Sequence, residues 1–214
     1  GKIKVLYIEQ QPRWEYKFIR RALEGDASLR LASAVRATPN RYYRQGLTSG
    51  EELEKGFPAT QEELFAYDAV ILGSLEAAEL STEQHQWLRE FVDRRGGSLL
   101  MLAGRDGLGD GGWSRGPIEP LLPAKLPSGS ERGYGRLASR ARLTDYGRES
   151  IIGRLDSNPE ANEKAWQELP ALADFQDIGE LRPAAIVLLE AVTGSGERTR
   201  AAPLLATQRY GRGA

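Results

Sequence analysis

Between Gly96 and Trp113 the chain reads GGSLLMLAGRDGLGDGGW, and this stretch constrains the fold more than any other. An apolar run, Leu99 to Ala103, breaks abruptly into glycines and charges. Such a run is the mark of a buried parallel strand that ends in a sharp turn at the edge of a sheet. In open α/β sheets, ligands bind beyond the carboxyl ends of the strands. The expectation is therefore that the 99–103 strand lies inside the sheet, with its bend beside the tips of its neighbours.

The preceding chain repeats the same unit. Ile3 to Ile8 (IKVLYI) is β-branched and apolar and reads as a first strand. A helix follows, with Trp14, Phe18 and Ala22 at intervals of four, joined by Ile19 and Leu23 as its inner face; Tyr16, Lys17, Arg20 and Arg21 take the other side, and Gly25 ends it. Leu29 to Val35 is the second strand. Thr38 to Phe57 is polar and glycine-containing and reads as a long loop, a candidate flap over the sheet edge. Thr60 and Glu63 have capping-box spacing before a short helix, as do Ser81 and Gln84 before a longer one with Leu88, Phe91 and Val92 inward and Gly96 at its end. Asp68 to Leu72 is the third strand. Strand and helix alternate four times, which predicts a parallel sheet with right-handed crossovers and helices on both faces.

After Trp113 the pattern weakens. Pro117 to Leu122 reads as a short helix, Gly129 to Gly135 as a loop and Arg136 to Leu143 as a strand. Ala161 to Leu169 reads as a helix with Ala165 and Trp166 inward. Ala184 to Val192 and Ala202 to Gln208, joined by a short Gly/Ser turn, predict an antiparallel hairpin that extends the sheet. Trp14, Trp87 and Trp166 are expected in the core.

The 214 residues carry 29 basic and 30 acidic side chains, a balance that argues against an electrostatic nucleic-acid binder. The absence of cysteine removes disulfides, thiolate metal sites and a cysteine nucleophile together. No run approaches the roughly 18 apolar residues of a membrane span. The chain starts at Gly1, directly before a strand, and stops just after one, so the expectation is a piece excised from a longer protein.

The predicted strand ends bring Glu9, Gln10, Gly73, Ser74, Gly104, Arg105 and Asp106 to one edge. One reading is a polar pocket in which the planar fork of Arg105 clamps a carboxylate or phosphate. The other is that Arg105 pairs with Glu9 or Asp106 and completes the turn. Gly107, Gly109 and Gly112 match G-x-G-x-x-G in form, but no helix start follows the last glycine, so no nucleotide is expected. Asp106 and Asp110 lack the further carboxylates of a calcium loop. His85, the single histidine, has no partner cluster and is assigned a solvated or capping role. Trp113 stands in a polar glycine loop, where an indole either packs on the sheet edge or meets a partner. Tyr42 and Tyr43 are contact material of the same kind.

KVLYIEQQPRWEYKFIRRAL, YDAVILGSL, LREFVDRRGGSLLMLAGRDGLGDGGW and PLLATQRYGRG resemble class I glutamine amidotransferase-like domains of bacterial membrane-anchored proteins, often found beside a von Willebrand A domain. The resemblance covers nearly the whole chain. It implies one domain over 1–214: a flavodoxin-like three-layer α/β sandwich with a mostly parallel sheet, on the soluble side of a bacterial membrane protein. It also implies a further strand and a membrane helix beyond this chain, so that contact with the membrane runs only through segments outside it. Active amidotransferases carry a cysteine on the turn after the strand that resembles Ser98–Ala103, with a later histidine. Here that turn carries Gly104, Arg105 and Asp106, and no histidine follows it. A Cys–His mechanism needs both groups in hydrogen-bond reach. The expectation is a catalytically degenerate binding module without cofactor or metal, with Glu9, Gln10, Ser74, Gly104, Arg105, Asp106 and Trp113 as candidate ligand contacts. Its partner is a protein or small molecule, not nucleic acid. The alternative is a non-cysteine hydrolase or carbohydrate-processing enzyme, with Glu9 and Asp106 as acid and base. A deep cleft above Gly104 would favour the enzyme, and a shallow edge with exposed aromatic residues the module.

Overall fold

A computed structural model describes residues 1–127 and 138–214. The chain divides into two compact units, Gly1–Leu121 with Arg209–Ala214, and Leu122–Gln208.

The first unit is α/β. Strands β1 (Ile3–Glu9), β2 (Leu29–Thr38), β3 (Arg41–Gln45), β4 (Ala69–Gly73) and β5 (Ser98–Leu102) form one sheet in the order β3-β2-β1-β4-β5. β2, β1, β4 and β5 run parallel, and β3 is antiparallel to β2. The antiparallel strand thus comes from the predicted 38–57 loop, which folds back as a hairpin at Pro39 and Asn40 and continues as loop only beyond Gln45.

The 99–103 segment is a parallel strand, but it lies at the rim of the sheet, not inside it. Its side chains are half-buried or exposed, and Leu99 N donates to Ala214 O at 2.8 Å on its outer side. Local hydropathy marks a strand as apolar but does not fix its place in the strand order. The bend does lie where expected: an added Cβ on Gly104 would stand 2.6 Å from Ser74 Cα, so only glycine fits beside the tip of β4.

Helix α1 (Trp14–Glu24) covers one face of the sheet. Tyr16, Ile19 and Leu23 pack on Val5, Tyr7 and Ile71. The helix is therefore rotated from the predicted phase. Trp14 and Phe18 are 69% and 59% exposed, and Ala22 is exposed with them. Tyr16 takes the inner position because its hydroxyl finds Ser33 Oγ at 2.9 Å. On the opposite face Leu6, Ile8, Val70 and Leu72 are buried. Helices α2 (Gln61–Phe65) and α3 (Thr82–Glu90, continued by a π turn over Phe91–Arg95) contribute the buried Leu64, Leu88, Phe91 and Val92. The Ser81–Gln84 capping box forms in both directions. At Thr60 only one arm forms, because Glu63 reaches Ala59 N instead. Gly96 ends the π turn at φ 84°, as its place in the sequence implied. Trp87 is half-buried.

The second unit is built on a three-stranded antiparallel sheet, β10-β9-β7, from β7 (Arg140–Leu143), β9 (Ile186–Thr193) and β10 (Arg200–Thr207). The C-terminal hairpin exists, but it belongs to this separate sheet and does not extend the parallel one. β6 (Ala124–Lys125) pairs with β8 (Glu180–Leu181). Helix α4 spans Asp145–Glu149, and α5 spans Pro159–Gln167, where Asn158 caps Ala161 N at 3.0 Å. Trp166 is half-buried and donates to Gly153 O at 2.8 Å. The loop read over 129–135 lies outside the described residues, as do the first two residues of the strand read over 136–143.

Candidate functional site

In the parallel part of the sheet, β1 and β4 are neighbours whose onward connections lead in opposite directions, to β2 and to β5. The crevice beyond their carboxyl ends is where a ligand is expected in this kind of sheet. Glu9 occupies it and is fully buried. Its Oε2 accepts from Tyr7 Oη at 3.1 Å and from Arg13 Nε and Nη2 at 3.2 and 3.0 Å. Its Oε1 accepts from Gln11 N at 3.2 Å. The remaining terminal nitrogen of Arg13 donates to Ala103 O at 2.9 Å. One guanidinium therefore ties together the ends of β1 and β5 and the start of α1. Burial, followed by the Glu9 charge, pushes the Tyr7 hydroxyl far above its ordinary pKa. The crevice is filled from within.

The pairing of Arg105 with Glu9 or Asp106 does not form. The partner of Glu9 is Arg13, which the sequence reading passed over although it stands four residues from Glu9. Arg105 is exposed and makes no ion pair among the described residues. Gln10 is drawn away from the crevice. Its Oε1 accepts from Arg36 Nη1 at 2.9 Å, and the same nitrogen donates to Glu79 at 3.0 Å.

Gln11, Ser74, Leu75, Glu76, Gly104, Arg105, Asp106 and Gly107 line a dent of about 10 Å³, room for about one water. Asp106 shares this dent with Glu76, a second carboxyl that the sequence reading missed. Burial and the neighbouring Asp106 carboxyl together raise the Glu76 pKa. Ser74 has φ 48°, and its buried hydroxyl has no hydrogen-bond partner among the described residues. A left-handed non-glycine residue costs roughly 1–2 kcal/mol, and an unpaired buried hydroxyl about 1–3 kcal/mol. Ser74→Gly removes both, against a larger backbone entropy loss of about 0.5–1 kcal/mol. The expected result is a gain of about 1–2 kcal/mol in chemical denaturation. An unchanged or lower midpoint would show that Ser74 is not strained.

Trp113 is not a free contact residue. It is 1% exposed, and its Nε1 donates to Leu75 O at 2.7 Å. The glycines before it form a π turn (Gly109–Trp113), with Gly112 at φ 87° letting the indole turn inward. This resolves the indole's position in a polar loop: it packs onto the exit of β4. His85 is half-buried and lies against it with ring centroids 5.4 Å apart. Burial lowers the His85 pKa, opposed by a bond to the Ala77 backbone. The exposed aromatic residues are elsewhere. Trp14 and Phe18 stack at 6.3 Å with Lys17 Nζ 4.8 Å from the Trp14 ring centre, and Tyr43 is exposed on β3. Tyr42 is half-buried.

Among the described residues, no group of three or more His, Asp or Glu is arranged to hold a metal ion, and no helix is long and apolar enough to cross a membrane. The fold and site define a mixed α/β protein whose sheet-edge crevice is closed by an internal ion pair. Set against known proteins, the chain matches no family model, no curated protein and no solved structure.

Proposed function

We propose that this chain is a catalytically degenerate, glutamine amidotransferase-like domain of flavodoxin-like architecture, acting as a binding module of a bacterial membrane protein. The order β2-β1-β4-β5 among the parallel strands supports the architecture. One observation carries the functional reading: the ligand crevice is occupied by Glu9 and Arg13, while an aromatic pair stands exposed just beyond it on α1. A guanidinium engaged on three sides has no fork left for a substrate. Trp14 and Phe18 with Lys17 suit a protein partner that presents apolar side chains and carboxylates.

Two measurements test this. Glutamine incubated with the purified protein should release ammonia no faster than a blank; release above it defeats the degenerate reading. A photo-crosslinking residue at position 18, in cells making the full-length chain, should form a discrete adduct with one protein, lost in the Trp14→Ala background. A smear or no adduct removes the α1 face from the proposal.

The Asp106–Glu76 contact favours a second reading, a carboxylate-based hydrolase or carbohydrate-processing enzyme. Glu9, its other candidate, is buried and fully engaged, and the dent beside Asp106 admits no sugar ring. Hydrolysis of an aryl glycoside, abolished by Asp106→Asn, would establish this reading in place of the first.

A further inference from the structure

The largest opening among those described in the first unit lies at the other end of the sheet. It is a cavity of about 240 Å³ between the amino-terminal ends of β1, β2 and β4 and the segment 46–58. Lys4 and Arg30 are register partners on neighbouring parallel strands, so both side chains emerge on the same face, and Ala32 follows two residues on. Leu53, Pro58, Ala66 and Tyr67 add an apolar wall. Going beyond the function proposed above, we propose that this cavity is a binding site for a small organic carboxylate with an apolar body, its carboxylate held by Lys4 and Arg30.

The hydrogen bonds separate engaged from free groups. Glu52, the half-buried acid in the lining, accepts from Tyr67 Oη, Thr48 N and Thr48 Oγ1, the latter two at 2.6 and 2.7 Å. Burial works against its charge, yet these bonds hold its pKa below the ordinary value. Glu63 accepts from Ala59 N at 2.8 Å. Glu51 is exposed. The cations are less committed: Lys4 is exposed and its charge acts on Asp68, but neither it nor Arg30 has an ion-pair partner within 4 Å among the described residues, and the Arg30 side chain makes a long bond, 3.4 Å, to Gly46 O. Lys4 and Arg30 thus keep donor capacity that no neighbour takes up at close range, and a carboxylate is a group that can accept from both. The apolar wall disfavours a bare inorganic anion and favours a hydrocarbon body.

The lid of the cavity is built, not slack. Leu53 is buried at φ 56°, a left-handed conformation that a leucine holds only where its surroundings enforce it. Arg44 Nη1 fastens the segment through Gly50 O and Glu52 O at 2.9 and 2.8 Å. Gly56, also left-handed, lies against the Tyr42 ring where no side chain would fit. A pre-shaped cavity loses little freedom when a ligand enters. The cavity of about 240 Å³ is far larger than the one-water dent beside Asp106 and has room for a ligand the size of benzoate.

Benzoate, benzamide and benzamidine share one shape and differ in charge, so they test the site directly. Titrated into the whole chain and followed by amide NMR, benzoate should saturate shifts at Ala32, Leu53 and Tyr67. Benzamide should bind about tenfold more weakly and benzamidine more weakly still. Lys4→Gln and Arg30→Gln should each weaken benzoate about tenfold while leaving benzamide unchanged. If either variant fails to fold, the order of the three ligands on the unaltered protein still decides. Equal binding of all three, a preference for benzamidine, or no saturable shift in the cavity would each overturn the proposal. Failure here leaves the α1 surface untouched, and loss of the position-18 adduct leaves this cavity untouched.

Discussion

Arg13→Met is expected to destabilise the first unit by about 3–5 kcal/mol, the cost of leaving a buried carboxylate without its partner. Glu9 is inaccessible to water, and the guanidinium supplies two of the four hydrogen bonds it accepts. The same substitution frees the carbonyl of Ala103 at the end of β5. Arg13→Lys should rescue little, because one ammonium cannot reach Glu9 and Ala103 with the geometry of a planar fork. Glu9→Gln combined with Arg13→Met should recover more than half of the loss, since an amide keeps the Tyr7 and Gln11 contacts without a buried charge. Urea denaturation of the four proteins closes a double-mutant cycle, with an expected coupling of about 1.5–3 kcal/mol. A cost below about 1 kcal/mol for Arg13→Met, or additive single effects, would show that the pair does not hold the crevice closed.

This crevice also marks how far the sequence could be read. The alternation of strands and helices, the glycine ends and the capping residues Ser81 and Thr60 were all legible, because each depends on chemistry within a few residues. The bend at Gly104 and the tip of β4 at Ser74 were correctly placed together. What failed depended on choices between equivalent local patterns. Helix α1 carries apolar residues on two faces, Trp14, Phe18 and Ala22 on one and Tyr16, Ile19 and Leu23 on the other. Nothing in their spacing decides which faces the sheet; a hydroxyl contact from Tyr16 to Ser33 on another strand accompanies the choice. The sequence points to Arg105 because it stands on the turn and gives no sign of Arg13, which reaches Glu9 only through the placement of the first turn of α1. The apolar run of β5 suggested an interior strand, but composition does not set order across a sheet. The cavity under segment 46–58 was hidden for the same reason. Its lining comes from four separate stretches, around Lys4, Arg30, segment 46–58 and Tyr67, which only the fold brings together.

Trp113→Ala should be the most damaging truncation outside the sheet, with an expected loss of about 3–5 kcal/mol. The indole is the largest of the fully buried side chains, and it joins the loop after β5 to the exit of β4 through Leu75. Two effects contribute, and Trp113→Phe separates them. Phenylalanine keeps most of the apolar contact but leaves the Leu75 carbonyl without its donor, which should cost about 1–3 kcal/mol on its own. Removing the ring altogether also exposes His85, whose pKa is lowered chiefly by burial. The His85 pKa, read by NMR titration, should therefore rise towards the ordinary value of about 6.5 in Trp113→Ala and move less in Trp113→Phe. If the tryptophan instead served as a lid or partner contact, its loss would leave both stability and the His85 titration unchanged. That outcome would return Trp113 to the candidate contact residues at the exit of β4.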